Sequence, residues 1–134
     1  MCASRTISSR PSPTLTVAVV DDDAAARRAL TRILRAGGLR VASFSTAEEL
    51  LQEYETTHPG CLVLDVMLPG MSGPDLVDRL QSSPGAPSVV FVTGRIDSPH
   101  TLKQRGLGHI TCLQKPFEPG LLLEAVAQAM KPRG

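Results

Sequence analysis

Three aspartates, Asp21, Asp22 and Asp23, stand directly after the apolar run LTVAVV, and Asp65 closes a second run, CLVL. Two further runs, SVVFV and ITCLQ, lead into Thr93 and Lys115. Taken singly, most of these residues have ordinary explanations. Asp22 and Asp23 suit the N-terminus of a following helix, where a carboxylate accepts free N–H groups and meets the positive end of the helix dipole. A lone Thr93 reads as a turn hydroxyl and a lone Lys115 as a solvated side chain. Asp65 is different, because neither capping nor sheet pairing calls for a carboxylate between CLVL and the Pro- and Gly-containing loop VMLPGMSG.

The chemistry lies in the set. If the four runs are neighbouring parallel strands, their C-terminal ends bring carboxylates, a hydroxyl and an ammonium to one rim. Carboxylates at such spacing repel, so one is protonated or a cation sits among them. Hard oxygen ligands with room for water and a phosphate oxygen suit Mg²⁺ better than Zn²⁺ or a transition metal. With its charge screened, one carboxylate can attack phosphorus and become an acyl phosphate. Lys115 then offers a point charge to the phosphoryl oxygens and Thr93 a hydrogen bond.

The elements that must position these groups follow from hydrophobic patterning. Strands are expected over residues 15–20, 39–44, 61–64, 88–92 and 110–114, mostly as continuous apolar runs of the kind buried on both faces. Between them lie helical stretches. Residues 24–36 carry Leu30, Ile33 and Leu34 at helical spacing, leave Arg27, Arg28, Arg32 and Arg35 for the wet side, and stop at Gly37 and Gly38. The segment Ser45-Thr46-Ala47-Glu48-Glu49 offers a capping box in two registers for a helix to about residue 55. Gly73-Pro74-Asp75 starts a third helix with Pro in its first turn. A weak segment at 99–105 precedes Gly106 and Gly108, and the last helix covers 118–130 with Leu122, Ala125, Val126 and Ala129 on one stripe.

Strand and helix alternating five times imply right-handed crossovers and a parallel sheet covered on both faces. The expected fold is a single doubly wound (βα)5 flavodoxin-like α/β domain over residues 15–130, with strand order 2-1-3-4-5 and the first and third strands flanking the switch point. Residues 1–14, rich in Ser, Thr, Pro and Arg, are expected to form a flexible leader, and 131–134 a short tail.

Composition excludes other classes. The chain has 134 residues, 42% of them hydrophobic, which is the size of one domain with a true core. Fourteen Lys and Arg against 13 Asp and Glu give a net charge of +1, and aromatic residues make up 3%; direct nucleic-acid binding would need either a basic field or stacking rings. No apolar run approaches the length of a membrane span, and the basic residues near the N-terminus have no hydrophobic h-region behind them. Cys2, Cys61 and Cys112 are odd in number and never paired as CxxC, which suits a reducing cytoplasm and gives no zinc site. Cys61 and Cys112 are expected as small hydrophobes within strands, and His58, His100 and His109 as surface residues. Gly70 and Gly94 are expected to serve loop geometry.

Asp21-Asp22, Asp65 in LDVMLPGMSG, Thr93-Gly94 and Lys115-Pro116-Phe117, in this order at successive strand ends, resemble the receiver domain of two-component response regulators. The likeness is greatest to the receivers that precede LuxR-type DNA-binding domains in nitrogen-fixation regulators. The resemblance implies a phospho-accepting signalling switch that takes phosphate onto Asp65 from a sensor histidine kinase or a phosphotransfer protein. It implies Mg²⁺ held by Asp21, Asp22, Asp65 and the Met67 main-chain carbonyl, Thr93 as the switch hydroxyl, Lys115 as the phosphate-binding lysine, and a cis Lys115–Pro116 bond. Catalysis is limited to the protein's own phosphorylation and dephosphorylation, so it is not an enzyme in the usual sense. Output would pass through a changed protein-interaction surface to a downstream effector protein, or to a further domain of a longer regulator, and the resemblance allows a phosphorylation-dependent dimer. Two features depart from the family pattern: Cys112 stands where a large, commonly aromatic residue is usual, and the fourth helical segment is poor in apolar residues.

Three alternatives remain at this level. The first is a receiver-fold interaction module working without regulated phosphorylation. A phosphohydrolase with an aspartyl-phosphate intermediate would usually carry a second acid two residues after the nucleophile, where this chain has Met67. A flavin site would need a Ser/Thr/Gly-rich first loop, where this chain has three aspartates that repel phosphate.

Overall fold

The apolar runs form five strands: β1 (Thr16–Val20), β2 (Arg40–Phe44), β3 (Cys61–Asp65), β4 (Ser88–Thr93) and β5 (Cys112–Gln114). Between and after them run α1 (Ala24–Ala36), α2 (Ala47–Thr57), α3 (Gly73–Gln81), α4 (Ser98–Gln104) and α5 (Pro119–Ala129). This is a computed structural model that describes residues 16–82 and 85–131; the leader expected over 1–14 and residues 132–134 of the expected tail lie outside the described residues.

All strand pairs are parallel and the sheet order is β2-β1-β3-β4-β5, the expected doubly wound α/β order 2-1-3-4-5. Register aligns Val20 with both Phe44 and Leu64, and Asp65 with Val92, so the strands end nearly level and their C-terminal loops share one rim. The period of two along each strand divides the core between the faces. Val17, Val19, Cys61, Val63, Val90 and Val92 pack with Leu30 and Leu34 of α1 and Leu122 and Val126 of α5. Ala18, Val20, Leu62, Leu64 and Phe91 point the other way, onto Leu50 of α2, Leu76, Val77 and Leu80 of α3, and Leu102 of α4. β1 and β3 are almost wholly buried, as a continuous apolar run requires, whereas the edge strands β2 and β5 are half exposed.

Local chemistry sets the helix starts. The Asp23 carboxylate caps α1 by accepting Ala25 N–H at 3.0 Å and Ala26 N–H at 3.5 Å, so of the two aspartates suited to that role Asp23 fills it and Asp22 does not. For α2 the Thr46–Glu49 register is the one used: Thr46 accepts the Glu49 N–H, while the Glu49 carboxylate reaches past Thr46 to the N–H and hydroxyl of Ser45. That helix runs two residues beyond the expected end, to Thr57, and stops at His58 in the left-handed region at φ 46°. A full capping box between Ser72 and Asp75 opens α3.

Other boundaries move for physical reasons. β5 keeps only three residues, because Ile110 and Thr111 form the approach to it, although the Thr111 carbonyl still accepts Phe91 N–H at 2.8 Å. The weak segment does become a helix, α4, with Leu102 buried inside it and Leu107 just beyond. Its exit is tied from outside: Arg105 pairs with Asp75 at 3.1 Å and Asp78 at 2.6 Å on α3. Arg27 does not lie on the wet side with its neighbours; it is half buried and its Nη1 donates to the Asp21 main-chain carbonyl at 2.7 Å. Gly70 has φ +72° and meets the expectation of a loop-shaping glycine, whereas Gly94 has no positive φ and a side chain there would meet nothing within 4 Å. Among the described residues, no helix is long and apolar enough to cross a membrane.

Candidate functional site

β1 and β3 are hydrogen-bonded neighbours, so the chain leaving each at its C-terminal end delivers Asp21 and Asp65 to the same place. Asp21 is fully buried and Asp65 nearly so, while Asp22 is exposed at the lip. One carboxylate oxygen from each of the three lies within 4.8 Å of the others. The side chain of Asp21 is held by the Asp23 N–H on Oδ1 at 2.9 Å, and Asp65 Oδ1 accepts the Met67 N–H at the same distance.

Lys115 enters from the end of β5. Its Nζ donates to Asp21 Oδ2 at 2.8 Å and Asp65 Oδ2 at 3.2 Å, across 94 and 50 residues of chain. The backbone aims it: Lys115 N–H donates to the Thr93 carbonyl at 2.7 Å, and the Lys115–Pro116 peptide is cis. Burial works against the ammonium, but the Asp21 hydrogen bond and the charges of Asp65 and Asp21 outweigh it, holding Lys115 above the usual lysine pKa. The Asp65 carboxyl is raised: burial, with the neighbouring Asp21 charge, outweighs the Met67 N–H and Lys115, which act to lower it.

Thr93 is buried at the end of β4, but its hydroxyl makes no hydrogen bond to the carboxylates or to Lys115 among the described residues. Instead Oγ1 accepts the Arg95 N–H at 3.0 Å and shares a 2.8 Å hydrogen bond with Ser98 Oγ, itself buried at the start of α4. Met67 contributes its N–H to Asp65, and the residue is 54% exposed. Cys112, expected as a small hydrophobe within a strand, is half buried against the α2–α4 core; burial, then the charge of Asp65, raises its thiol pKa.

The arrangement therefore unites Asp21, Asp22, Asp65 and Lys115, and brings Thr93 to the same rim with its hydroxyl turned away. Sequence reading missed three supports. Ser98 sits in Asp97-Ser98-Pro99, where a serine before proline looks like a helix start and nothing marks it as a partner for Thr93. Glu48 was read only as a capping residue, yet its Oε2 accepts the Met71 N–H at 3.1 Å. Arg105 lay in a segment of weak helical signal.

The comparisons with known proteins bear on the same region. Over 113 residues the chain is 42% identical to nodulation protein W of Bradyrhizobium diazoefficiens, covering 84% of this chain and 50% of that protein. It is 34% identical over 116 residues to the transcriptional regulatory protein FixJ of Azorhizobium caulinodans, covering 87% and 55%. The chain thus spans about half the length of the curated relatives it matches. Among solved structures, the response regulator StyR superposes with a TM-score of 0.77 at 39% identity, over 88% of this chain and 60% of that one. The beryllofluoride-activated DrrB receiver domain gives 0.75 at 28% identity, over 88% and 98%. The family model described as response regulator receiver domain matches residues 17–127, a span that contains every residue of the acidic rim together with Thr93 and Lys115. With sheet order, rim and match in agreement, the chain belongs to the response regulator receiver domain family.

Proposed function

We propose that the domain, expected over residues 15–130, is a phospho-accepting switch in which Asp65 is the sole acceptor. The observation that carries this reading is the convergence of the Asp21, Asp22 and Asp65 carboxylates within 4.8 Å beside the Lys115 ammonium. A carboxylate oxygen of Asp65 forms the new O–P bond as the P–N bond to a phosphohistidine donor breaks. The electron pair stays on the imidazole nitrogen, which takes a proton from solvent. Lys115 is already within hydrogen-bond reach of Asp65 and offsets negative charge on the incoming phosphoryl oxygens.

The all-oxygen donor set fits a hard divalent cation. Asp21, Asp22, Asp65 and the Met67 main-chain carbonyl would hold Mg²⁺, which when bound supplies charge that relieves carboxylate repulsion and draws the phosphoryl group in. Asp21 is oriented by the Asp23 N–H, and Asp22, free of the capping role, remains available at the lip. Thr93 would donate its hydroxyl to a phosphoryl oxygen.

The partner in this reading is a sensor histidine kinase or phosphotransfer protein in the cytoplasm. Relatives named as transcriptional regulatory proteins support an output in transcription, reached through an effector protein or a further domain, with a phosphorylation-dependent dimer as one route. Incubation with acetyl phosphate and Mg²⁺ tests the assignment: one phosphoryl group should appear by intact mass and be lost in Asp65→Asn. Asp22→Ala should lower Mg²⁺ affinity and labelling together. An unchanged mass overturns the reading and favours an interaction module that works without phosphorylation; full labelling of Asp65→Asn overturns Asp65 as the acceptor.

A further inference from the structure

The Thr93 hydroxyl has one proton and two acceptor positions. The Arg95 N–H occupies one acceptor position, and the remaining bond, to Ser98, is 2.8 Å long. Both residues are closed off from water, Thr93 at 0% and Ser98 at 2% exposure. Among the described residues Ser98 Oγ has no hydrogen-bond partner except Thr93. Moving Thr93 onto a ligand at Asp65 therefore breaks a buried bond and leaves a buried hydroxyl without a partner, which is the costly way to lose a hydrogen bond.

We propose that Ser98 is a positioning residue that holds the Thr93 hydroxyl away from the Asp65 site, so that loading the site is opposed by the Thr93–Ser98 bond and, when it succeeds, frees the first turn of α4. The inference rests on Asp65 being the phosphoryl acceptor. Position favours Ser98 as the point of release. It begins a seven-residue helix whose N-cap, Asp97, makes no side-chain capping bond, so this serine tethers the entry of α4 to β4 through a side chain. At the other end the Arg105 pairs to Asp75 and Asp78 hold the exit of α4 to α3. Loss of the Ser98 bond would thus pivot the helix about its C-terminal end. The half-buried Cys112 need not change rotamer for this route to work.

Titration of the full chain with beryllofluoride and Mg²⁺, followed by amide chemical shifts, tests this in wild type, Ser98→Ala, Thr93→Ala and the double variant. Wild type should bind one equivalent. Ser98→Ala should bind about two- to tenfold more tightly, the range set by one hydrogen bond. In the Thr93→Ala background, Ser98→Ala should leave affinity unchanged, a result that a general packing role for Ser98 would not give. Ser98→Cys, which is slightly larger but hydrogen-bonds only weakly, should fall between wild type and Ser98→Ala and serves if the alanine variant does not fold. Equal or weaker binding by Ser98→Ala, or the same effect with and without Thr93, overturns the proposal while the phosphoryl reading stands. Absence of binding in every variant, wild type included, removes both.

Discussion

Glu48 and Met71 are 23 residues apart in the chain, yet the Glu48 carboxylate on the first turn of α2 accepts the Met71 N–H at 3.1 Å, anchoring the loop that follows Asp65. The turn that brings Met71 round uses Gly70 at φ +72°, where an added Cβ would also lie 2.9 Å from Glu48 Oε2. A helix on one side of the sheet thereby fixes the path of the chain beside the acidic rim.

The first prediction follows from that bond. Glu48→Ala should accelerate amide hydrogen exchange at Met71, with a global stability loss of only about 0.5–1.5 kcal/mol, because the bond is solvent-exposed and local. Unchanged exchange at Met71 would show that the loop is held by other contacts.

Gly73 is the tightest backbone position next to the site. A Cβ there would lie 2.5 Å from the Asp65 carbonyl oxygen and 3.2 Å from the Phe91 ring. Gly73 is the first residue of α3, so Gly→Ala gains little helix propensity there, and overpacking of about 1–3 kcal/mol decides the outcome. Gly73→Ala should lower the urea midpoint and slow acetyl phosphate labelling of Asp65, since the strand end carrying the carboxylate must shift.

Acid should loosen the start of α3. The Ser72 hydroxyl, the Ser72 N–H and Arg105 all favour the charged form of Asp75 and hold its pKa below the ordinary value. The group thus adds stability that is present above the usual carboxylate pKa and is lost as pH falls through the lower folded value. Wild type and Asp75→Asn should differ in Tm at pH 7 and converge as the pH is brought below about 4. A constant difference between them at all pH values would contradict this assignment.

Arg105→Ala removes both links between α4 and α3. These pairs are about one-third to one-half exposed, so the expected global loss is under about 1 kcal/mol. The amide protection of α4 should fall much more than that of α5, measured by hydrogen exchange.

Cys61 should be inert. Burial pushes its thiol pKa up to about 12, so at pH 8 almost none is thiolate. Iodoacetamide should leave Cys61 unmodified in the native protein and label it readily in denaturant. Labelling of the native protein at the same rate would mean that β3 opens freely.

The sequence by itself determined the class of fold and the identity of the rim. Apolar runs too continuous for a solvated sheet demand burial on both faces, and helices between them demand parallel strands, so Asp21, Asp65, Thr93 and Lys115 had to arrive at the same end. Tertiary structure alone decided which neighbour each polar group meets. Asp22 and Asp23 are indistinguishable as adjacent carboxylates until the backbone turns Asp23 onto the α1 N–H groups. Arg27 looks like its exposed neighbours until β1 presents the Asp21 carbonyl to it. Thr93 carries the same hydroxyl in either orientation, and only the packing of α4 against β4 gives it Ser98. Periodicity records burial, which is a property of a segment, whereas a hydrogen bond between distant residues depends on a few tenths of an ångström and on the direction of one side chain, and no local pattern encodes that.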